Sequence, residues 1–544
     1  MNVRSNKRLI LSLLPFFLAI LVMTPRLISP QFGLLDDGLM LERVTDILSN
    51  DFSMRYDLQA GRFRPIYWLY FTLIFIVAGM RPFWFFFSHL ILFLVLLLQI
   101  RLLMKKMNAD NKQILIASLI FIFSMPIIEN FYTLGKGEPL QLVFLLSALV
   151  CFEELKNSIK KGERWLASIL TFIFILAAIL VKETAILIAP LAAVWFGYTW
   201  IKRNQYSEHI RKTILVFLLI ATASIAAFFI LRYLWGSTSL TGGTYTEKYD
   251  FSISLLVEKT LRWVTQLSFY FHYLIPMFLL LLIIILKKRI SDEAQKQNIF
   301  NWTSWSLFWI VVLIPWDLAE VYYLLPFSLG IAILIGLLWP YIIDMIRDRQ
   351  KTMKWTALVL SSLTLILFLI ILPSFRTDAL TQLTIDRVNK TMLEVVQEII
   401  PEDGDFFVGM DSHNEYFMNI EYFLVNRYDR DDIFIDFVSL DTLGRMHHYS
   451  NGIVILPYIR NQAALGVRLG VEEEFTMAWR DIIVFEMGDR LTALAEIRDD
   501  IRLFNINLPV IFCPLLQEKG YCDNPDPIID TRFFSFGWEA YHIR

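Results

Sequence analysis

Apolar runs of about twenty residues recur along this chain, with Lys- and Arg-rich clusters between alternate pairs of them. A bilayer core needs about 20 mostly apolar residues per spanning helix, so the pattern dictates a polytopic α-helical membrane protein. Composition agrees. Of 544 residues 56% are hydrophobic, and mean hydropathy is +0.52, where a soluble domain sits at roughly 45–50% apolar. A net charge of −2 excludes a strongly basic nucleic-acid binder.

Three basic residues in Met1–Arg8 precede the apolar run Leu9–Met23, and no A-x-A-like site follows. The segment reads as an uncleaved first span rather than a signal peptide. Further spans are expected at roughly 83–103, 113–129, 138–153, 165–181, 184–200, 213–234, 263–286, 299–317, 321–346 and 355–373, with the first at 9–28. The stretch 65–80 is shorter and hemmed by Arg64-Pro65 and Arg81-Pro82. Basic clusters at 101–112, 156–164, 202–212, 287–289 and 347–354 all become cytoplasmic if 65–80 does not cross. The expectation is therefore about eleven spans, the N-terminus inside, and 65–80 as a re-entrant or interfacial helix in a large first outer loop, 29–82. The tail then lies outside.

After Pro373 the composition turns mixed, dividing the chain into a membrane module, 1–373, and a C-terminal extracytoplasmic α/β domain, 374–544. Residues 378–400 carry a helical stripe, and strands are expected at Phe406–Val408, Ile433–Phe437, Ile453–Leu456 and Ile482–Phe485. Helices are expected near 414–426 and 489–500. Cys151 lies in an apolar helix, whereas Cys513 and Cys522 could pair in an oxidising compartment. His447-His448 has no companion ligands nearby, and Asn389-Lys390-Thr391 is a chance-level sequon.

Topology sends the chemistry to one face. Asp36-Asp37 supplies carboxylates suited to a general base, although Asp equally serves turns and helix caps. Arg62 and Arg64 flank Phe63, so in an extended segment both point the same way, and Arg suits phosphate. A glycine-bounded turn holds Glu129, Lys136 and Glu138. Lys182-Glu183 interrupts an apolar stretch at a hairpin, where Lys182 can meet a lipid phosphate. Asp317 and Glu320 mark another outer corner with two tyrosines. Arg232 and Arg262 bracket the 235–262 loop. His89 and His272 lie within spans, where a hydrogen-bonded interhelical role competes with a functional one.

The order of these pieces resembles the GT-C glycosyltransferases, in particular the O-mannosyltransferases that carry transmembrane and tetratricopeptide-repeat regions. The pieces are LLDD with Asn50 downstream, RFRPIYWL, His89, LGKGEPLQLVFLLSA, LVKETAI and AEVYYLLPFS, covering about 30–330. The family pattern reads approximately as a DD pair, YRPL, FH, GRADLL, SKE and ERYLYLP. Here Lys136 replaces an arginine, Glu138 an aspartate, and Val321 stands at the arginine position of the last motif. No tetratricopeptide array follows.

The resemblance implies a polyprenyl-phosphate sugar donor, drawn from the membrane lipid, and transfer to an acceptor hydroxyl on a glycan, lipid or protein, with inversion. Asp36 or Asp37 is the base. Substrate-binding candidates are Arg62, Arg64, Lys136, Glu138, Lys182, Glu183, His89, His272 and Glu320. No metal is required where fixed cations offset phosphate charge; the sequence leaves a divalent ion open. A bacterial inner membrane is the expected location. A transporter or flippase of lipid-linked saccharide is the alternative, and it predicts repeated halves and broken mid-membrane helices. A ligand sensor is a third class, and it predicts an inert first loop.

Overall fold

A computed structural model describes residues 3–49, 57–58, 61–158, 160–235, 252–287, 290, 292–315, 320–410, 415–438, 452–460, 473–506 and 529–544. Among the described residues, seven helices are long and apolar enough to cross a membrane: Leu11–Ile28, Pro82–Lys106, Lys161–Val181, Glu183–Ile201, Glu208–Leu234, Val321–Ile346 and Lys351–Ile399. Each matches an expected span, and the other four expected spans depart for visible reasons.

The 113–129 run divides into Asn111–Ile122 and Pro126–Phe131, because Pro126 offers no N–H to continue the first ladder. The 263–286 run breaks between Ile253–Tyr270 and Leu274–Leu286. Glu138–Asn157 and Glu293–Val311 are helical but carry buried Gln141, Glu153, Gln297, Asn298 and Asn301. Pro65–Ala78 is a 14-residue helix, about 21 Å long at 1.5 Å per residue, short of the roughly 30 Å hydrocarbon core. Leu69, Leu73, Ile76 and Val77 on it are exposed, as are Leu98, Leu219, Ile230 and Leu282 on longer helices. Such surfaces suit lipid rather than water.

The helix through Lys351–Ile399 is continuous, with Pro373 inside it. It links the apolar bundle to a five-stranded sheet in the order β2-β1-β3-β7-β4. β1 (Asp405–Val408) is parallel to β2 (Phe434–Phe437) and β3 (Ile453–Arg460), while β7 (Phe533–Ile543) is antiparallel to β3 and to β4 (Leu491–Arg502). A short pair, β5 (Asn505–Ile506) and β6 (Ile529–Asp530), stands apart. The sheet buries Trp538 against the long helix, its Nε1–H donating to Asn389 Oδ1 at 2.9 Å. The asparagine of the sequon is therefore buried and engaged.

The expected α/β alternation holds for the first three strands and for the helix Glu415–Tyr428. Two assignments are reversed. Ile482–Phe485 lies inside the helix Glu473–Met487, where Ile483 and Met487 pack on the sheet and Phe485 faces out. Residues 489–500 form mostly strand β4, held by eleven partners along β7, so tertiary pairing overrides the helix preference of its Leu, Ala and Glu residues. His447, His448, Cys513, Cys522, Asn50, Asp317 and the Arg262 side chain lie outside the described residues.

Candidate functional site

Four loops separated by up to three hundred residues meet around Tyr322 and Tyr323. The turn after the first span ends at Asp36, whose φ of +62° is a left-handed conformation that Asp tolerates better than most residues. This turns its carboxylate toward Lys136, and the ion pair measures 2.9 Å. Gly135 makes the approach possible: its φ is +52°, and a Cβ there would lie 2.7 Å from Asp36 Cβ. Tyr67 from the short Pro65–Ala78 helix secures the same turn by donating its hydroxyl to Gly135 O at 2.8 Å.

Lys182 pairs with Glu138 at the start of the next helix, and Gln141 Nε2 donates to Lys182 O at 2.7 Å and to Thr184 Oγ1 at 2.9 Å. Glu138 is 2% exposed, and its second oxygen has no hydrogen-bond partner. The two ammoniums converge on one ring. Lys136 Nζ lies 4.3 Å and Lys182 Nζ 5.3 Å from the Tyr322 centroid, with Lys182 also 4.6 Å from that of Tyr323. Such cation–π contacts each contribute about 0.5–2 kcal/mol. The tyrosines are fixed in turn, because Tyr322 N–H donates to Glu129 at 2.8 Å and Asn130 Nδ2 donates to Tyr322 O at 3.0 Å.

The cations are not equivalent. Burial pulls the Lys182 ammonium below the ordinary lysine value, Glu138 recovers only part of this, and Arg62 and Lys136 lower it further. Burial acts on Lys136 too, but the charge and hydrogen bond of Asp36 outweigh it and hold that ammonium above the ordinary value, with help from Glu320 and Glu138. Arg62 is pulled down by burial and then by Arg64, with Glu183, Asp57 and Tyr323 opposing. Lys136, Lys182, Arg62, Glu138, Glu183 and Glu320 thus occupy one electrostatic neighbourhood.

Arg64 has a different situation. Its guanidinium forks onto Asp57, Nη2 to Oδ1 at 2.9 Å and Nε to Oδ2 at 3.3 Å, and stacks over Tyr67 and Trp68. Trp68 Nε1–H donates to the same carboxylate at 2.8 Å. Asp57 was not among the sequence candidates. No motif surrounds it in the sequence, and its burial to 2% exposure sets it apart. Glu183 accepts the Phe63 N–H at 2.5 Å, clamping the extended segment between the two arginines.

Asp37 faces away from its neighbour. It is 2% exposed, accepts the Gly33 N–H at 2.7 Å, and opens onto a chamber of about 20 Å³ bordered by Arg26, Thr133, Gln382, Asp386 and Tyr416. Arg26 and Asp386 form a buried ion pair there at 2.6 Å. Burial pushes the Asp37 carboxyl well above the usual range; Asp386 and Asp36 add to this, while the Gly33 amide and Arg26 oppose it. Arg26 ends the first span, and Asp386 lies in the long helix. Neither residue carries a motif.

Two candidates lie outside the cluster. His89 is packed edge-on between Phe86 and Phe131 at 1% exposure. His272 Nε2 meets Leu367 O at 2.9 Å, an interhelical contact. Arg232 is buried near the end of its helix. A cleft of about 430 Å³ lies between the helices Asp37–Leu48 and Glu415–Tyr428, bordered by Glu42, Asp46, Glu421 and Tyr422. Among the described residues no group of three or more His, Cys, Asp or Glu is placed to hold a metal ion.

No protein-family model matches this chain, and no curated protein matches it in sequence. Solved structures share its backbone path loosely. The oligosaccharyltransferase of Archaeoglobus fulgidus in the apo form aligns over 76% of this chain at 11% identity and a TM-score of 0.43. The same enzyme in complex with Zn and sulfate gives 76%, 12% and 0.45. This chain spans only 63% and 61% of those two chains. ArnT from Cupriavidus metallidurans bound to undecaprenyl phosphate aligns over 81% of this chain and 92% of its own, at 11% identity and a TM-score of 0.45. The chain is similar to these membrane enzymes in backbone path alone.

Proposed function

We propose that this chain is a GT-C-type membrane glycosyltransferase that moves a sugar from a polyprenyl-phosphate donor to an acceptor hydroxyl at the extracytoplasmic face, with inversion. The observation that carries the reading is the pair of ammoniums, Lys136 and Lys182, over the ring of Tyr322, each neutralised by a carboxylate from another loop. The ordered motifs of the sequence bring the same residues forward.

The donor phosphate takes the place of Asp36 on Lys136 and shares Lys182 and Arg62. Displaced from its ammonium, the Asp36 carboxylate accepts the proton of the acceptor hydroxyl. The acceptor oxygen bonds to the anomeric carbon as the carbon–oxygen bond to phosphate breaks, and the electron pair leaves with the polyprenyl phosphate. Charge grows on that phosphate as it departs, so cations fixed in a partly buried site favour the transition state over the ground state. Arg64, locked on Asp57, shapes the arginine segment, and Asp37 braces the turn from behind. The donor enters from the bilayer, the expected host membrane being a bacterial inner membrane.

The test is transfer from a radiolabelled polyprenyl-phosphate hexose by purified protein in liposomes, assayed against glycan, lipid and peptide acceptors. Asp36→Asn is expected to lower kcat by about 10²–10⁴-fold, the usual contribution of a positioned base, without raising the donor KM, because the donor phosphate no longer has to displace a carboxylate from Lys136. Full activity of Asp36→Asn would remove the assignment of the base, and flipping of the donor without transfer would replace the enzyme reading by transport.

A further inference from the structure

The helix that begins at Asp37 is capped by a different part of the chain. An Asp at the N-terminal boundary of a helix commonly turns its own side chain back to accept a free amide. Asp36 holds that position for Asp37–Leu48 and makes no such bond. Its carboxylate is on Lys136 instead. The amides it leaves are taken by Asn419, on the helix Glu415–Tyr428 of the C-terminal region: Gly38 N–H and Leu39 N–H, the latter at 3.3 Å, both donate to Asn419 Oδ1. Asn419 is fully buried, and Gly38 leaves it room, since a Cβ there would overlap the amide oxygen.

The grip extends along the turn. Phe32 stacks on Phe423 from the same helix with centroids 5.8 Å apart, and Arg427 lies over the Phe32 ring at 5.9 Å. From the long helix, Asp386 reaches Arg26 beneath the turn. We infer that Asn419 is a positioning residue for the transfer: by capping the helix from the C-terminal region, it leaves the Asp36 carboxylate free to face Lys136 and the acceptor. Without it those amides lose their acceptor, and Asp36, at the helix boundary, is the residue whose side chain type ordinarily caps such amides; a carboxylate folded back onto its own helix is lost to proton transfer. The inference rests on the reading of Asp36 as the base and gives the C-terminal region a role in catalysis.

The experiment uses the full chain in liposomes with a polyprenyl-phosphate hexose. Asn419→Ala is expected to lower kcat by about ten- to hundredfold, the scale of an ångström-sized misplacement, without raising the donor KM. Asn419→Asp keeps the acceptor and is expected to restore most of kcat. Because Asn419 acts through Asp36, adding Asn419→Ala to Asp36→Asn is expected to cost nothing further, a coupling that a general loss of structure does not produce. Should Asn419→Ala fail to fold, Asn419→Ser retains a shorter acceptor and is expected to fall between wild type and Asp36→Asn. Wild-type kcat in Asn419→Ala, or effects that multiply with Asp36→Asn, would overturn the inference and leave the glycosyltransferase reading standing. Absence of transfer by the wild-type protein would overturn that reading first.

Discussion

At the scale of single residues, the two adjacent aspartates have separate surroundings. Asp36 faces Lys136 and the tyrosine pair, whereas Asp37 borders a small chamber with Arg26 and Asp386. The sequence offered the pair as a unit, because adjacency does not say which way a turn will aim each side chain; the positive φ of Asp36 decides it. Lys136 and Glu138 were legible as charges in a glycine-containing turn between spans, and Lys182 and Glu183 as charges interrupting an apolar run. Asp57, Arg26 and Asp386 were not, since their importance comes from burial against distant partners. His272 shows the converse, a polar residue expected within a span that sits at the break between Ile253–Tyr270 and Leu274–Leu286 and meets a carbonyl of the long helix.

Lys182 carries a pH prediction. Its ammonium is held below the ordinary lysine value of about 10.4. As pH rises through that lowered value the site loses a positive charge, so kcat/KM for the donor is expected to fall on an alkaline limb below the ordinary lysine range. Lys182→Arg keeps its charge to higher pH, and pH–rate profiles should show the limb displaced upward. An unchanged limb would assign it to another group.

At the scale of elements, close approach decides what the site can become. The Lys136 turn reaches Asp36 only because position 135 lacks a Cβ and accepts a left-handed backbone. Gly135→Ala should therefore cost about 1–2 kcal/mol from backbone conformation alone, measurable by thermal unfolding, and weaken activity further by pushing Asp36 away. The cleft between Asp37–Leu48 and Glu415–Tyr428 has an opposite tension. Burial, then repulsion from Glu42, holds the Glu421 carboxyl above its usual range. A raised acid is favoured in its protonated form by folding, so its contribution is complete at low pH and fades as pH rises through the raised value. Glu421→Gln should raise the melting temperature slightly at neutral pH and leave it unchanged below about pH 4, where an unfolded glutamate is also protonated.

Local pattern told strands β1 to β3 from helices because their apolar runs are short. It misassigned Ile482–Phe485, an apolar run that winds round a helix with Ile483 buried and Phe485 exposed, and β4, whose helix-favouring residues are held by the long edge of β7. Pairing between distant segments is not a local property, so no window along the chain could have supplied it.

At the scale of the whole molecule, recurring apolar runs made the membrane module readable, and all seven of the long apolar helices fall where such runs occur. The broken and polar helices were harder to read, because buried Gln and Asn residues are indistinguishable from loop residues until their neighbours are known. The long helix Lys351–Ile399 and the contacts of Asn419, Phe423 and Asp386 connect the C-terminal region to the first loop. That link explains how a sheet remote in sequence can govern a turn beside the bilayer.

The central claim is that the paired ammoniums are a phosphate site held in waiting by Asp36 and Glu138. Its most direct test is a structure of the full chain in nanodiscs with bound polyprenyl phosphate. The account predicts the phosphate within hydrogen-bonding reach of Lys136 and Lys182, with Asp36 released from Lys136 and turned toward an open acceptor space. A phosphate bound elsewhere, with the Asp36–Lys136 and Glu138–Lys182 pairs intact, would contradict it.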